Sequence, residues 1–118
     1  MKKILVVDDD NDILSLVETV LSMNDFGVEA ISRWENIPQS ISSFEPDLIL
    51  LDVSLIGADG RDICKKLKAA IETQHIPIIL FSAHADVANN FQDCQAQGFI
   101  AKPFEVSYLV RTLQSIIK

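Results

Sequence analysis

Leu48-Ile49-Leu50-Leu51 is a run of four apolar residues with no polar alternation, preceded by Pro46-Asp47 and closed by Asp52 and a loop that holds Gly57 and Gly60. A run that is apolar on both of its faces reads as a strand buried inside a parallel sheet. Parallel neighbours need crossovers of helical length, so this stretch commits the chain to alternating strands and helices. It also puts the Asp52 carboxylate just past a strand C-terminus, at the rim where open α/β sheets collect ligands. Taken alone, an aspartate in that place more often caps the next helix or makes an Asx-turn.

The rest of the chain supplies the alternation. Ile4-Leu5-Val6-Val7 is another buried run, and it too ends in acid, Asp8-Asp9-Asp10. Helical spacing begins at Asn11 with Ile13, Leu16, Val17, Val20 and Leu21, with Asp10 placed as N-cap and Asp12 in the first turn. Residues 24–27 end that helix, and Val28-Glu29-Ala30-Ile31 alternates as an edge strand with one wetter face does. Trp34, Ile37, Ile41 and Phe44 give a short second helix with Pro38 in its first turn. Ile63, Cys64, Leu67, Ala70 and Ile71 predict a third over 59–71, after which Ile78-Ile79-Leu80-Phe81 is a buried strand ending at Ser82. Over 85–97 only Ala88, Phe91 and Cys94 form an apolar stripe, which predicts the least firmly held helix. Gly98-Phe99-Ile100-Ala101 is the last strand, ending at Lys102-Pro103, and Val106, Leu109, Val110, Leu113 and Ile117 pattern a closing helix. Five strands alternating with five helices make a doubly wound α/β domain.

Composition narrows the function. At 118 residues the chain is one domain, 48% hydrophobic and 23% charged, with no stretch approaching the ~20 apolar residues of a membrane span. Met1-Lys2-Lys3 runs straight into the first strand, so a cytoplasmic protein is expected. Ten basic against seventeen acidic residues give a net charge of −7, which disfavours nucleic acid and anionic membranes as direct partners. Cys64 and Cys94 lack metal-ligand spacing and read as small reduced core residues, with a redox role the lesser alternative.

Asp8, Asp9, Asp52, Ser82 and Lys102 thus gather at one rim, each just past a strand end, and that coincidence lifts Asp52 above a mere cap. Three carboxylates and one ammonium leave −2, too much charge for a partly desolvated crevice. A divalent cation cancels it, and an all-oxygen donor set without His or Cys selects Mg²⁺ before Mn²⁺ or Ca²⁺, with a phosphate as its partner.

In this order and spacing, Ile4-Leu5-Val6-Val7-Asp8-Asp9-Asp10, Asp47-Leu48-Ile49-Leu50-Leu51-Asp52, Gly57-Ala58-Asp59-Gly60, Phe81-Ser82-Ala83 and Lys102-Pro103-Phe104 resemble the receiver domain of bacterial response regulators, from Ile4 to Ile117. The resemblance implies that residues 1–118 are one receiver domain with a flavodoxin-like fold of strand order 2-1-3-4-5. It implies that Asp52 accepts a phosphoryl group from a phosphohistidine of a sensor kinase or phosphotransfer protein. Asp9, Asp52 and the Ser54 backbone carbonyl are then direct Mg²⁺ ligands, and Asp8 acts through a bound water. Lys102 and Ser82 take the phosphoryl oxygens, Phe99 turns in behind Ser82, and the Lys102–Pro103 bond is cis.

Some positions depart from that pattern. Ile56 stands where the family usually has proline, and Phe99 lacks the hydroxyl a tyrosine would offer. Ser54 and His84 occupy places that in the family tune phosphoryl lifetime. His84 as a phosphorylated histidine is disfavoured, since no exposed helix carries it, and His75 reads as a loop residue. A haloacid-dehalogenase-type phosphatase is the enzymatic alternative, but its general acid would stand at Ser54; a degenerate receiver acting as a constitutive interaction module is the other. A signalling domain rather than an enzyme is therefore expected, monomeric or weakly dimeric, since on the face of the fourth helix, fifth strand and fifth helix only Asp86 and Asp93 are set against Arg111. In the first helix the apolar residues cover an arc of roughly 160°, wider than the ~100° a core-facing stripe requires. Leu14, at one border, is expected to be partly exposed beside the site as a docking point for the donor, although a single exposed leucine is equally ordinary surface.

Overall fold

The computed structural model describes residues 1–84 and 86–117. Five strands, β1 (Lys3–Val7), β2 (Gly27–Ile31), β3 (Leu48–Asp52), β4 (Ile78–Ser82) and β5 (Gly98–Ala101), pair in parallel in the order β2-β1-β3-β4-β5. That is the 2-1-3-4-5 order. The helices are α1 (Asn11–Met23), α2 (Ile37–Phe44), α3 (Gly60–Ala69), α4 (Val87–Asn90) and α5 (Val106–Ile116), with 3-10 turns at Trp34–Asn36 and Phe91–Cys94.

Alternation along each strand divides the core into two layers. Ile4, Val6, Leu48, Leu50, Ile79 and Phe81 face α1 and α5, while Leu5, Val7, Ile49, Leu51, Ile78 and Leu80 face Ile37, Cys64 and Val87 on the other side. The unbroken apolar runs are explained by this double cover. Register brings the strand ends level, with Val7 opposite Leu51, Asp52 opposite Phe81 and Ser82 opposite Ala101, so the residues that follow share one rim. Among the described residues no helix is long and apolar enough to cross a membrane.

Several local expectations are corrected. In α1 the buried stripe is Leu14, Val17 and Leu21, with Leu14 only 6% exposed and Leu16 at 49%. The helix is therefore rotated so that Leu14 packs inward, and the docking role expected of it falls with its exposure. The third helix stops at Ala69, leaving Ile71 exposed. The stretch expected as a helix over 85–97 is one α turn and one 3-10 turn, with Val87 buried in the place given to Ala88; Ala85 lies outside the described residues. Cys64 and Cys94 are buried free thiols, as read from the sequence, and Cys64 Sγ donates to the Cys94 carbonyl at 3.2 Å. Burial pushes the Cys64 thiol well up, which keeps it protonated and inert.

Between β3 and α3 lies a two-residue hairpin, Ser54–Leu55 paired antiparallel with Ala58–Asp59. Gly57 turns it at φ +83°, the left-handed conformation that the third residue of a type II turn requires. Gly60 is held by contact instead, because a Cβ there would fall 2.2 Å from the Asp52 carbonyl oxygen. Asp59 caps α3 and is gripped twice by the Arg61 guanidinium, at 3.1 and 2.7 Å. On α3 the Lys68 ammonium is buried and donates to the Gln74 and Ile76 carbonyls at 3.2 and 2.7 Å, tying the loop into β4; burial holds its pKa down.

Candidate functional site at the carboxyl rim of the sheet

Asp8 follows β1 directly and is buried, with one carboxylate oxygen accepting the Asp10 N–H at 2.9 Å. Asp10 in turn caps α1 by accepting from the Asp12 and Ile13 N–H groups. The acidic triplet therefore splits its tasks: Asp10 starts the helix, and Asp8 is turned into the crevice. Asp52 ends β3 and is also buried.

Lys102, reaching across from the end of β5, joins these two acids. Its Nζ lies 2.7 Å from Asp8 Oδ2 and 3.2 Å from Asp52 Oδ1, and 4.6 Å above the Phe81 ring. The backbone sets that reach: the Lys102 N–H bonds the Ser82 carbonyl at 2.9 Å, the Lys102–Pro103 bond is cis, and Phe104 packs on Phe81 with ring centroids 5.2 Å apart. Burial, and then the neighbouring Asp8 carboxylate, push the Asp52 carboxyl up to about 6 against the pull of Lys102. One ammonium does not offset two buried carboxylates.

Ser82 ends β4, is buried, and accepts the His84 N–H at 3.0 Å, which leaves its own hydroxyl proton uncommitted among the described residues. Phe99 is half-buried and stacks on Phe91 at a centroid distance of 6.3 Å. His84 and Ser54 are exposed beside the site, on a cavity of about 450 Å³ that Asp59, Arg61 and Asp86 also line. Asp9 is the residue the structure does not bring into the cluster. Its carboxylate accepts the Ile56 N–H at the tip of the hairpin, and among the described residues no three acidic, His or Cys side chains converge closely enough to hold an ion as they stand. The donor chemistry nevertheless suits a hard divalent cation: every group is oxygen, and Lys102 is the one ammonium paired with the two buried carboxylates of Asp8 and Asp52 among the described residues. The sequence reading missed the Ile56 contact and the indole of Trp34, whose Nε1 donates to the Ile56 carbonyl at 3.0 Å. The proline-to-isoleucine departure was the available signal, since isoleucine has a backbone N–H and proline has none.

Fold and rim together define a flavodoxin-like α/β domain that works at its strand C-termini. A family model for the response regulator receiver domain matches residues 4–114, and the chain belongs to that family, whose members are signalling rather than catalytic domains. The phosphatase alternative is set aside on that ground. Nisin biosynthesis regulatory protein NisR of Lactococcus lactis subsp. lactis is 38% identical over 98% of this chain and 50% of its own length. Transcriptional regulatory protein GltR of Pseudomonas aeruginosa is 31% identical over 99% of this chain and 49% of its own. The chain thus spans about half the length of the curated relatives it matches. Among solved structures, a putative response regulator from Chloroflexus aurantiacus J-10-fl superposes with a TM-score of 0.90 at 31% identity, covering 98% of this chain and 96% of that one. The receiver domain of NtrX from Brucella abortus gives 0.86 at 28% identity, over 95% of each chain.

Proposed function

We propose that residues 1–118 act as one receiver domain, which takes a phosphoryl group onto Asp52 from the phosphohistidine of a sensor kinase or phosphotransfer protein and then alters its protein-binding surface. The observation that carries this reading is Asp52 itself, a buried rim carboxylate raised to about 6 with an ammonium 3.2 Å from one oxygen. It is ionised at neutral pH yet poorly balanced, as a carboxylate nucleophile should be. An Asp52 oxygen attacks phosphorus, the P–N bond of the donor breaks, and its electron pair leaves with the imidazole, which takes up a proton. The product is an acyl phosphate.

Asp8, Asp9, Asp52 and the Ser54 backbone carbonyl are the groups that would hold Mg²⁺, Asp8 through a bound water. Mg²⁺ supplies positive charge to the phosphoryl oxygens when bound there. Lys102 supplies positive charge from the opposite side, its flexible stem letting the ammonium pass from carboxylate to phosphoryl oxygen. The uncommitted hydroxyl proton of Ser82 goes to another of those oxygens. Drawing Ser82 inward moves the chain that leads into α4, and Phe99, stacked on Phe91 of the following 3-10 turn, is the aromatic that moves with it.

The two relatives are named as regulators, one of nisin biosynthesis and one of transcription, and by analogy the output here is control of gene expression. With its charge of −7 the domain exerts that control through protein contacts rather than by holding nucleic acid itself, in the cytoplasm, as a monomer or weak dimer. Incubation with acetyl phosphate and Mg²⁺ should add one phosphoryl group to the wild type and none to Asp52→Asn, read by mass spectrometry. No adduct on the wild type, or an undiminished one on the variant, overturns the proposal.

A further inference from the structure

Ile56 stands at the hairpin tip with its side chain 81% exposed, so whatever fixes this residue acts through its backbone. Both ends of its backbone are engaged. The N–H donates to Asp9 Oδ2, and the carbonyl accepts from Trp34 Nε1 at 3.0 Å. Trp34 is half-buried against the layer built on Ile37 and Leu51, so the anchor is firm. Gly57, at φ +83°, turns the chain just after that carbonyl, and Trp34 Nε1 is the nearest atom to the place its Cβ would take, at 3.9 Å. Asp9 is thereby drawn from Asp8 and Asp52 toward the hairpin, on the edge of a cavity of about 230 Å³ that Ser32, Arg33 and Glu35 also line.

We infer that the Ile56 backbone is a latch on Asp9: its N–H holds the carboxylate apart from Asp8 and Asp52, Trp34 anchors its carbonyl, and a divalent cation entering the rim must draw Asp9 off it. The inference rests on the proposed role of Asp9 as a metal ligand. A hydrogen bond from an amide to a carboxylate is charge-assisted and competes with the cation for the same oxygen. The latch therefore lowers the affinity of the resting site, and each binding event is transmitted through the backbone of one residue to the indole. Trp34 is a positioning residue, acting on Asp9 only through Ile56.

The test compares Ile56→Pro with Ile56→Ala. Proline is favoured at the second position of a type II turn, so the hairpin keeps its shape while the N–H is lost; alanine keeps the N–H and removes the exposed side chain. In calorimetric titration with MgCl₂, Ile56→Pro should bind about tenfold more tightly than wild type, and Ile56→Ala as wild type does. Trp34 emission should respond to Mg²⁺ in wild type and Ile56→Ala and respond far less in Ile56→Pro. NMR of the unmutated protein needs no variant: the Ile56 amide proton should lose its downfield, carboxylate-bonded shift as Mg²⁺ saturates. Mg²⁺ binding to Ile56→Pro that is equal or weaker, or an Ile56 amide that stays put at saturation, overturns the latch alone. No Mg²⁺ binding by wild type overturns the metal role of Asp9 and the latch with it.

Discussion

α1 and α4 both begin at the functional rim, on opposite faces of the sheet, and they are held very differently. α1 runs 13 residues from a cap in which Asp10 accepts two backbone N–H groups, and it buries Leu14, Val17 and Leu21. α4 is four residues long, has no side-chain cap among the described residues, and gives way to a 3-10 turn that ends with Gln95 at φ +68°. The Oδ1 atom of its last residue, Asn90, is buried with no hydrogen-bond partner among the described residues. Asp8 and Asp9 stand just before the firm helix, while Ser82 and His84 lead into the loose one. Fixed electrostatics call for a rigid support, and a surface that must move is best built from weakly held structure.

The largest test of this contrast is truncation of each helix's packing. Leu21→Ala should lower global stability by roughly 2–5 kcal/mol in urea unfolding, as buried leucine truncations do. Phe91→Ala should lose less than half as much, because Phe91 is only half-buried and sits in a four-residue 3-10 turn. Equal losses would erase the distinction.

A second test asks what the firm side pays for its charge. Asp52 titrates near 6 when folded, against about 4 when unfolded, so the native state binds more protons across that window. Its contribution is fully present below pH 4 and is lost as pH rises through 6, and stability of the metal-free protein should fall over that interval. Asp52→Asn should flatten the fall and gain about 2 kcal/mol at pH 8, read by chemical denaturation. A profile unchanged by the substitution would show that Lys102 already balances the pair.

The smallest effect concerns the caps. Asp10→Ala should cost about 1 kcal/mol through the two N–H groups it orphans. Asp86→Ala, at the start of α4, should stay within about 0.5 kcal/mol, since its side chain makes no capping bond. Thermal melts of the two variants suffice, and comparable shifts would mean that α4 is capped after all.

What could be read from the sequence followed the strength of the local signal. Unbroken apolar runs located the strands, and acids and a lysine just past their ends located the rim, because a doubly covered sheet leaves few other ways to satisfy such runs. The phase of α1 was not legible: six apolar residues allow more than one buried stripe, and packing against β1 and β2 selects the one that includes Leu14 and leaves Leu16, at the opposite border of the arc, exposed. Val87 replaced Ala88 because a helix broken after one turn does not keep the 3.6-residue period assumed over 85–97. Lys68 gives no sequence signal of burial on α3, and only the fold brings the Gln74 and Ile76 carbonyls to its ammonium. The Asp9–Ile56–Trp34 connection joins three segments through the backbone of a single residue, and backbone hydrogen bonds of that kind leave almost no trace in side-chain identity.

The sheet has two open edges, and each is blunted against the addition of a strand from another molecule. β2, on one side, carries Glu29 at its centre, a charge that a newcomer pairing there would have to accommodate. β5, on the other, is only four residues long, and Pro103 follows within two residues with no N–H to offer. Both devices oppose backbone pairing between copies of the chain, the route by which open sheet edges seed aggregates.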